Sequence, residues 1–536
     1  MPEQPPAALA ATRLVEPASE AAWRRQRVLR LVAAGALGAA LNLAFAPFGW
    51  WPLGVLAPAA LFALIRGLPP RRAAEVGAAF GGGLFVFGTY WLYTCLHVFG
   101  LVPVWLTLVL QGALIALMSV YVAALCYAAN RFWLEAGMTR DWLVLPALWV
   151  LLEWLRGWIL SGFPWLSLGY AFIDTPLAGW APLFGVYGLT WSAVLAAAGL
   201  HSVFAPGPRA SRGARASADG ADRPVGEHRR RVLVGLAAIA TLFLVPALLA
   251  RHPWTRVAGA PMGVAAVQGA VSQDQKWLSN NREATLARYA SLTGQAWGAR
   301  LIVWPESALP VLAEDIPDYL HGLREAGRAH HADFAIGMVN YEPATMRYFN
   351  GLLVMSEAEG WYYKRHLVPF GEYFPVPAFI RSWMRLMSLP YSDFTPGSER
   401  QAILSAAGQK LGLTICYEDA FGSSQLAVLR EATLLINVTN NAWYGDSTAP
   451  HQHLQISRMR ALEAGRFLIR SANDGITAVI DPRGAVVAHL PQFAQAVLRA
   501  DVRPMSGLTP YARFGNYPVI VGALAALALA AWRRRG

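Results

Sequence analysis

Lysine is scarce in this chain of 536 residues: of 45 Lys and Arg, only Lys276, Lys364 and Lys410 are lysines. Charge of either sign is thin, at 15% of residues, and 33 acidic against 45 basic side chains leave a formal net charge of +12. So few charges beside 55% hydrophobic residues exclude a disordered chain. A soluble protein this apolar could not hide its surface, so membrane segments are the first thing to seek. Three cysteines, Cys95, Cys126 and Cys416, supply no disulfide framework. No His or Cys cluster has metal-ligand spacing; His451 and His453 come nearest, and no metal or cofactor is expected. The arginine-rich stretch 205–231 has no aromatics among its charges, so it reads as a disordered cytoplasmic loop and not as a nucleic-acid surface.

What the sequence does hold is eight apolar runs, near 31–48, 50–66, 74–96, 101–128, 142–160, 178–204, 232–250 and 516–532. Most approach the ~20 residues that cross a bilayer as a helix. Arginines alternate between the connections. They crowd the N-terminal arm (Arg13, Arg24, Arg25, Arg27, Arg30), the even-numbered connections and the end Arg533-Arg534-Arg535, and avoid the first and third connections. Since basic flanks stay in the cytoplasm, both termini are expected inside and the segment 251–515 outside. The run ending Ala44-Phe45-Ala46 could be a signal peptide, but its basic leader is long and six more spans follow, which favours an uncleaved first span. The domain plan is a basic arm (1–30), seven spans (31–250), an extracytoplasmic α/β domain (251–515), and an eighth span with a basic tail (516–536).

Within 251–515, buried-strand patterns occur at Met262–Gln268, Leu301–Trp304, 333–339, 350–355, 361–364 and Leu411–Ile415. Several end on chemistry. Glu306 follows Trp304-Pro305, and taken alone reads either as an acid at a helix N-terminus or as a catalytic base. Lys364 opens a loop rich in Pro, Gly and aromatics, Val368 to Pro375, suited to a lid over a lipid-facing pocket or to an interfacial anchor. Its bland reading is an ordinary surface charge. Cys416 ends a strand and precedes Tyr417, Glu418 and Asp419; it is the domain's single thiol, either a small buried hydrophobe or a nucleophile. Glu153 and Arg156, at i,i+3 near the outer end of a span, favour pairing with each other over contact with a lipid headgroup.

Three stretches in order, Val303-Trp304-Pro305-Glu306-Ser307, Tyr363-Lys364-Arg365-His366 through Gly371-Glu372, and Ile415-Cys416-Tyr417-Glu418, resemble the Glu, Lys and Cys motifs of the nitrilase superfamily. With the spans around them they resemble its membrane-embedded branch, the apolipoprotein N-acyltransferase family. Glu153 to Trp158, Ala442 to Asp446 and Arg458 to Gly475 agree, whereas Asn440-Asn441 departs from the Asn-Asp expected before Ala442.

The resemblance implies an α-helical membrane bundle of eight spans carrying a nitrilase-like αββα sandwich, in a bacterial inner membrane with the sandwich in the periplasm. It implies that Cys416 takes an acyl chain from a phospholipid, phosphatidylethanolamine being the expected donor, and passes it to the N-terminal amine of a diacylglyceryl-cysteine lipoprotein. Glu306 would be the base, Lys364 the oxyanion holder with the Tyr417 amide, and Glu372 the partner of Lys364, unless Glu372 is a solvated loop acid. Trp277, Tyr417 and Glu418 would line the site, though Trp277 could equally be a packed aromatic. Two other classes fit parts of the pattern. A membrane-tethered nitrilase-like hydrolase would use water as acceptor. A transporter or assembly factor would need polar mid-membrane residues, and beyond Asn42, Thr94 and Gln111 the spans offer few.

Overall fold

The computed structural model describes residues 16–134, 137–204, 223–373 and 394–535. Each apolar run coincides with a helix: α1 (Glu16–Leu41), α2 (Leu53–Ile65), α3 (Pro70–Gly88), α4 (Val104–Phe132), α5 (Leu145–Arg156), α6 (Ala181–Phe204), α7 (Arg223–Leu249) and the last, α12 (Tyr517–Arg535). By length and composition four stretches suffice to cross a membrane, at 26–44, 104–132, 176–203 and 517–534; α2 and the apolar part of α7 are shorter. Two expected boundaries move. The basic arm is helical from Glu16 onward, and Arg223–Arg231 open α7 instead of closing a loop. Residues 1–15 of the arm, 205–222 of that loop and 374–393, where the aromatic loop ends, lie outside the described residues.

Small residues set how the first helices meet, as they do where apolar helices associate without a hydrophobic drive. A Cβ on Gly38 of α1 would fall 1.9 Å from the Phe80 carbonyl oxygen of α3. One on Gly83 would meet Gly35 O at the same distance. Only glycine permits that backbone approach.

Among the described residues the α/β part has fourteen strands: β1 (Arg256–Val257), β2 (Met262–Gln268), β3 (Leu301–Trp304), β4 (Asp333–Glu342), β5 (Arg347–Met355), β6 (Gly360–Tyr363), β7 (Leu404–Ala406), β8 (Gln409–Ile415), β9 (Leu434–Thr439), β10 (Leu468–Ala472), β11 (Ala478–Ile480), β12 (Val486–His489), β13 (Ala496–Val502) and β14 (Met505–Ser506). Two six-stranded sheets form, ordered β13-β2-β3-β4-β5-β6 and β12-β11-β10-β9-β8-β7, while β1 pairs with β14. Strand periodicity divides the side chains among layers. Val264, Ala266, Leu301 and Val303 face inward with Leu413, Ile415, Ile436 and Val438 of the other sheet. Ala265, Val267, Ile302 and Trp304 face outward against α9 (Arg282–Ala296) and α10 (Pro317–Ala329). On the far side Leu435, Leu468 and Ile480 pack with Ala461 and Ala464 of α11 (Ala449–Ala464). The order is helix, sheet, sheet, helix.

Helix α11 is almost wholly buried yet has no apolar stripe, a pattern that sheet packing alone does not explain. Its polar side chains reach the membrane helices and their connections. Gln452 Oε1 accepts from Trp165 Nε1 at 2.7 Å, Gln455 Oε1 from Ala46 N at 3.3 Å, and Glu463 Oε1 from Val186 N at 2.7 Å. Arg458 Nη1 donates to Asp174 Oδ2 at 3.0 Å.

Candidate active site

The ends of β3, β6, β8 and β9 meet, so groups from both sheets share one buried volume. Pro305 after Trp304 cannot extend the β3 ladder, and the chain turns to bury Glu306, 6% exposed. No helix starts there, which removes the helix-N-terminus reading. Glu306 Oε1 accepts from Asn350 Nδ2 at 2.7 Å and Lys364 Nζ at 3.3 Å, and Oε2 accepts from Asn440 N at 2.8 Å. Lys364, just past β6 and 1% exposed, also donates to Glu372 Oε1 at 2.8 Å. Asn350 Nδ2 bridges to that same oxygen at 2.8 Å. Lys364 is therefore no surface charge but an ammonium between two carboxylates, which is what makes burial of either sign tolerable.

The turn Cys416–Ala420 begins directly at β8, and Cys416 has φ +53, a left-handed conformation that costs a side-chain-bearing residue roughly 1–3 kcal/mol. Its carbonyl is held where that φ puts it: Asn437 Nδ2 donates to it at 3.2 Å and His453 Nε2 lies 3.2 Å away. His453 Nε2 is also 2.9 Å from Asp419 Oδ1, so it faces two acceptors and carries the proton. Its Nδ1, 3.2 Å from Asn441 Nδ2, accepts, because Asn441 Oδ1 is taken by Arg470 Nη2 at 3.1 Å. Burial, then Arg470, holds the His453 pKa below its usual value, so the ring is neutral. The Asn440-Asn441 pair, a departure from the expected motif, thus supplies one amide to Glu306 and one orienting group to the ring beneath the cysteine.

Glu418 is 1% exposed and fully engaged. Oε2 accepts from the Tyr362 hydroxyl at 3.0 Å and Ile415 N at 2.8 Å; Oε1 accepts from Arg365 N at 2.6 Å and His366 N at 3.2 Å. One carboxylate ties the strand that delivers Cys416 to the segment that follows Lys364. Tyr417 stacks on Trp165 at 6.2 Å and its hydroxyl donates to Gly162 O at 3.3 Å. That loop is held by Arg156, whose Nη1 donates to Phe163 O at 2.7 Å and Trp165 O at 2.6 Å, and by Glu153 Oε1, which accepts from Leu168 N at 2.6 Å. Glu153 and Arg156 sit 3.7 Å apart, so the favoured pair forms and also fixes a wall of the site. Cys95 Sγ donates to Trp443 O at 3.1 Å, bringing the connection between α3 and α4 to the same place. Trp277 stands half-exposed beside Lys276, without a ring partner among the described residues.

Protons follow from these surroundings. Burial pushes the Cys416 thiol up to about 12, with Glu306 adding to it and Lys364 opposing. Burial also pushes the Glu306 carboxyl up, but Lys364, the Asn350 and Asn440 hydrogen bonds and Lys276 outweigh it, and the net direction is downward. Burial lowers Lys364, Glu306 and Glu372 raise it further, and it stays an ammonium. The resting site thus holds a neutral thiol, an ionised carboxylate and a fixed cation, an arrangement that can support attack by a thiol as its proton leaves.

Sequence reasoning passed over Asn350 and Asn437, met Asn440 only as part of a departure from the expected motif, and counted Lys276 only as one of three lysines. Gly337 of β4 is a further support: a Cβ there would lie 2.2 Å from Pro305 O and 2.7 Å from Glu306 Cα. Gly337→Ala is expected to displace Glu306 and destabilise the sandwich by roughly 1–3 kcal/mol, read as a lower melting temperature in detergent, with activity falling further than stability.

Two family models match the chain. Residues 37–199 match the apolipoprotein N-acyltransferase N-terminal domain and residues 263–511 the carbon-nitrogen hydrolases. A Methylococcus capsulatus protein named apolipoprotein N-acyltransferase is 40% identical over 488 residues, 90% of this chain and 92% of its own. One of the same name from Vibrio parahaemolyticus is 35% identical over 522 residues, 95% and 98% of the two chains. Among solved structures, Saccharomyces cerevisiae Nit3 of the nitrilase superfamily aligns with 46% of this chain and 92% of its own, at 19% identity and TM-score 0.37.

Proposed function

Because the chain belongs to the apolipoprotein N-acyltransferase family, we propose that Glu306, Lys364 and Cys416 carry an acyl transfer from a membrane phospholipid to the N-terminal amine of an apolipoprotein. The observation that carries this reading is the meeting of an ionised carboxylate, a buried ammonium and a strained cysteine at strand ends from two sheets. In the first half-reaction Cys416 Sγ attacks the ester carbonyl while Glu306 takes the thiol proton. The C–O bond breaks, and Glu306 returns that proton to the departing alcohol of the lysophospholipid, leaving a thioester. In the second, the acceptor amine attacks the thioester, Glu306 takes a proton from nitrogen, and the thiolate leaves and is reprotonated. Both tetrahedral intermediates carry an oxyanion, which Lys364 stabilises together with the Tyr417 N–H. That N–H lies in the first turn after the strand, where no intrahelical acceptor exists. Glu372 holds Lys364, Tyr417 and Trp277 shape the approach, and Glu418 fixes the cysteine turn.

The donor is read as phosphatidylethanolamine and the acceptor as diacylglyceryl-cysteine. The eight helices are read as eight spans with both termini cytoplasmic, and the sandwich (251–515) as periplasmic on a bacterial inner membrane. The arginine distribution supports this orientation. Lipid substrates that stay in the bilayer give the bundle its purpose, since it holds the cleft at the leaflet surface.

The test is intact mass. Protein in detergent with phosphatidylethanolamine and no acceptor is expected to gain one acyl mass, lost on neutral hydroxylamine and absent from Cys416→Ser. No gain with intact donor overturns the thioester. A gain followed by release of free fatty acid, with no amide formed when a diacylglyceryl-cysteine peptide is supplied, overturns the acceptor in favour of water.

A further inference from the structure

Two of the chain's three lysines converge on Glu306, and the proposed mechanism uses only one. Lys276 ends the short helix α8 (Gln273–Lys276) and its side chain is fully buried. Its single hydrogen bond among the described residues is a long one, Nζ donating to the Glu306 main-chain oxygen at 3.4 Å. An ammonium has three donors, and burying one with so little direct compensation is costly unless nearby negative charge holds it. The charges that face it are Glu306, from the loop after β3, and Asp474, from the loop after β10. Asp474 is itself 8% exposed, and its Oδ1 has no hydrogen-bond partner among the described residues. Around Glu306 the remaining charged groups are Lys364 and, through it, Glu372, with Cys416 as the titrating thiol.

We propose that Lys276 is the second cation of the active site, a positioning residue that keeps Glu306 ionised and its main chain in place through both half-reactions.

The charge count gives the reason. Lys364 must turn toward an oxyanion at each tetrahedral intermediate, and it already serves two carboxylates, Glu306 and Glu372. A second cation that interacts with Glu306 keeps the carboxylate a base while Lys364 is drawn away. Burial lowers Lys276 to about 8, with Glu306 and Asp474 opposing, and burial raises Asp474 to about 6. Lys276 is thus cationic over the acid and neutral range in which Glu306 must stay deprotonated. Arginine, the cation used almost everywhere else in this chain, is bulkier and planar and needs several acceptors around it. A fully buried position with one main-chain oxygen in reach suits an ammonium better.

The inference rests on the assignment of Glu306 as base, so the experiment carries both. Acyl-enzyme formation is followed against pH for the full-length protein in detergent, comparing wild type, Lys276→Met, Lys276→Arg and Glu306→Gln, with melting temperatures recorded for each. Removing a cation that lowers the Glu306 pKa raises that pKa. Lys276→Met is therefore expected to move the acid limb of kcat/KM upward by about one pH unit, a loss of about tenfold on that limb that fades toward pH 8. Lys276→Arg, which keeps the charge, is expected to return the limb toward wild type even where its melting temperature drops. A Lys276→Met profile with its acid limb unmoved overturns the inference, whether activity falls uniformly or not at all. Activity retained by Glu306→Gln overturns the base assignment instead, so the two failures are distinguishable.

Discussion

Glu306→Gln is expected to lower the rate of acyl-enzyme formation by about 10²–10⁴-fold, the usual contribution of a positioned general base. The substitution is nearly isosteric, yet the surroundings do not welcome an amide. Glu306 Oε1 faces Asn350 Nδ2 and Lys364 Nζ, and Oε2 faces Asn440 N–H, so both oxygens accept and neither can be replaced by a donor without facing another donor. The Cys416 thiol, pushed up to about 12, would then have nothing to take its proton. Stopped-flow release of lysophospholipid, followed together with intact mass, measures the loss. A thioester that forms at the wild-type rate in Glu306→Gln would remove Glu306 from the mechanism.

Lys364→Met is expected to lose activity by a comparable factor and to destabilise the protein as well. Without the ammonium, the Glu306 and Glu372 carboxylates meet across Asn350, and among the described residues Lys276 is the cation left acting on Glu306. Removing one member of a buried ionic group typically costs roughly 3–5 kcal/mol. The loss has a pH signature of definite sign. In the native protein the Glu306 carboxyl lies below its ordinary value, so its contribution is present above the unfolded pKa and disappears as pH falls through the folded one. In Lys364→Met burial drives the Glu306 carboxyl above its ordinary range, and its contribution is present at low pH and lost as pH rises through the raised value. The melting-temperature gap between wild type and Lys364→Met is thus expected to widen from pH 5 to pH 8. A constant gap across that interval would mean that the ammonium contributes only packing.

The strand cores and the three chemical side chains were legible because each signal is local. Met262–Gln268 and Leu301–Trp304 are continuous apolar runs bounded by polar or turn-forming residues, and both are strands with those limits. Glu306, Lys364 and Cys416 each follow such a run, so the sequence marks them as strand-end groups. Their neighbours were not legible. Asn350 lies inside β5 and Asn440 after β9, and what they do depends on side chains 44 and 134 positions away along the chain. Asparagine in or beside a strand carries no sign of such a partner. Helix α11 was not legible for a related reason: its Gln, His, Arg and Glu residues surround the axis, so no apolar stripe marks a buried face. Burial instead comes from polar contacts to membrane helices far away in sequence. Glu153 and Arg156 were paired from spacing alone, but their hold on the Phe163–Leu168 loop is visible only in three dimensions.

The polar seam along α11 also decides what can be moved between relatives. Each bond there has its donor on one side of the boundary between sandwich and bundle and its acceptor on the other, at Trp165 with Gln452, Ala46 with Gln455 and Val186 with Glu463. Cutting the chain to release a free-standing sandwich strands half of every pair, and exchanging sandwiches between two homologues mismatches them unless the helix connections travel too. The smallest exchangeable unit is accordingly the sandwich together with the 46, 163–168 and 186 segments. Recombination libraries cut at the chain's apparent domain borders, near 250 and 515, would yield mostly unassembled enzyme.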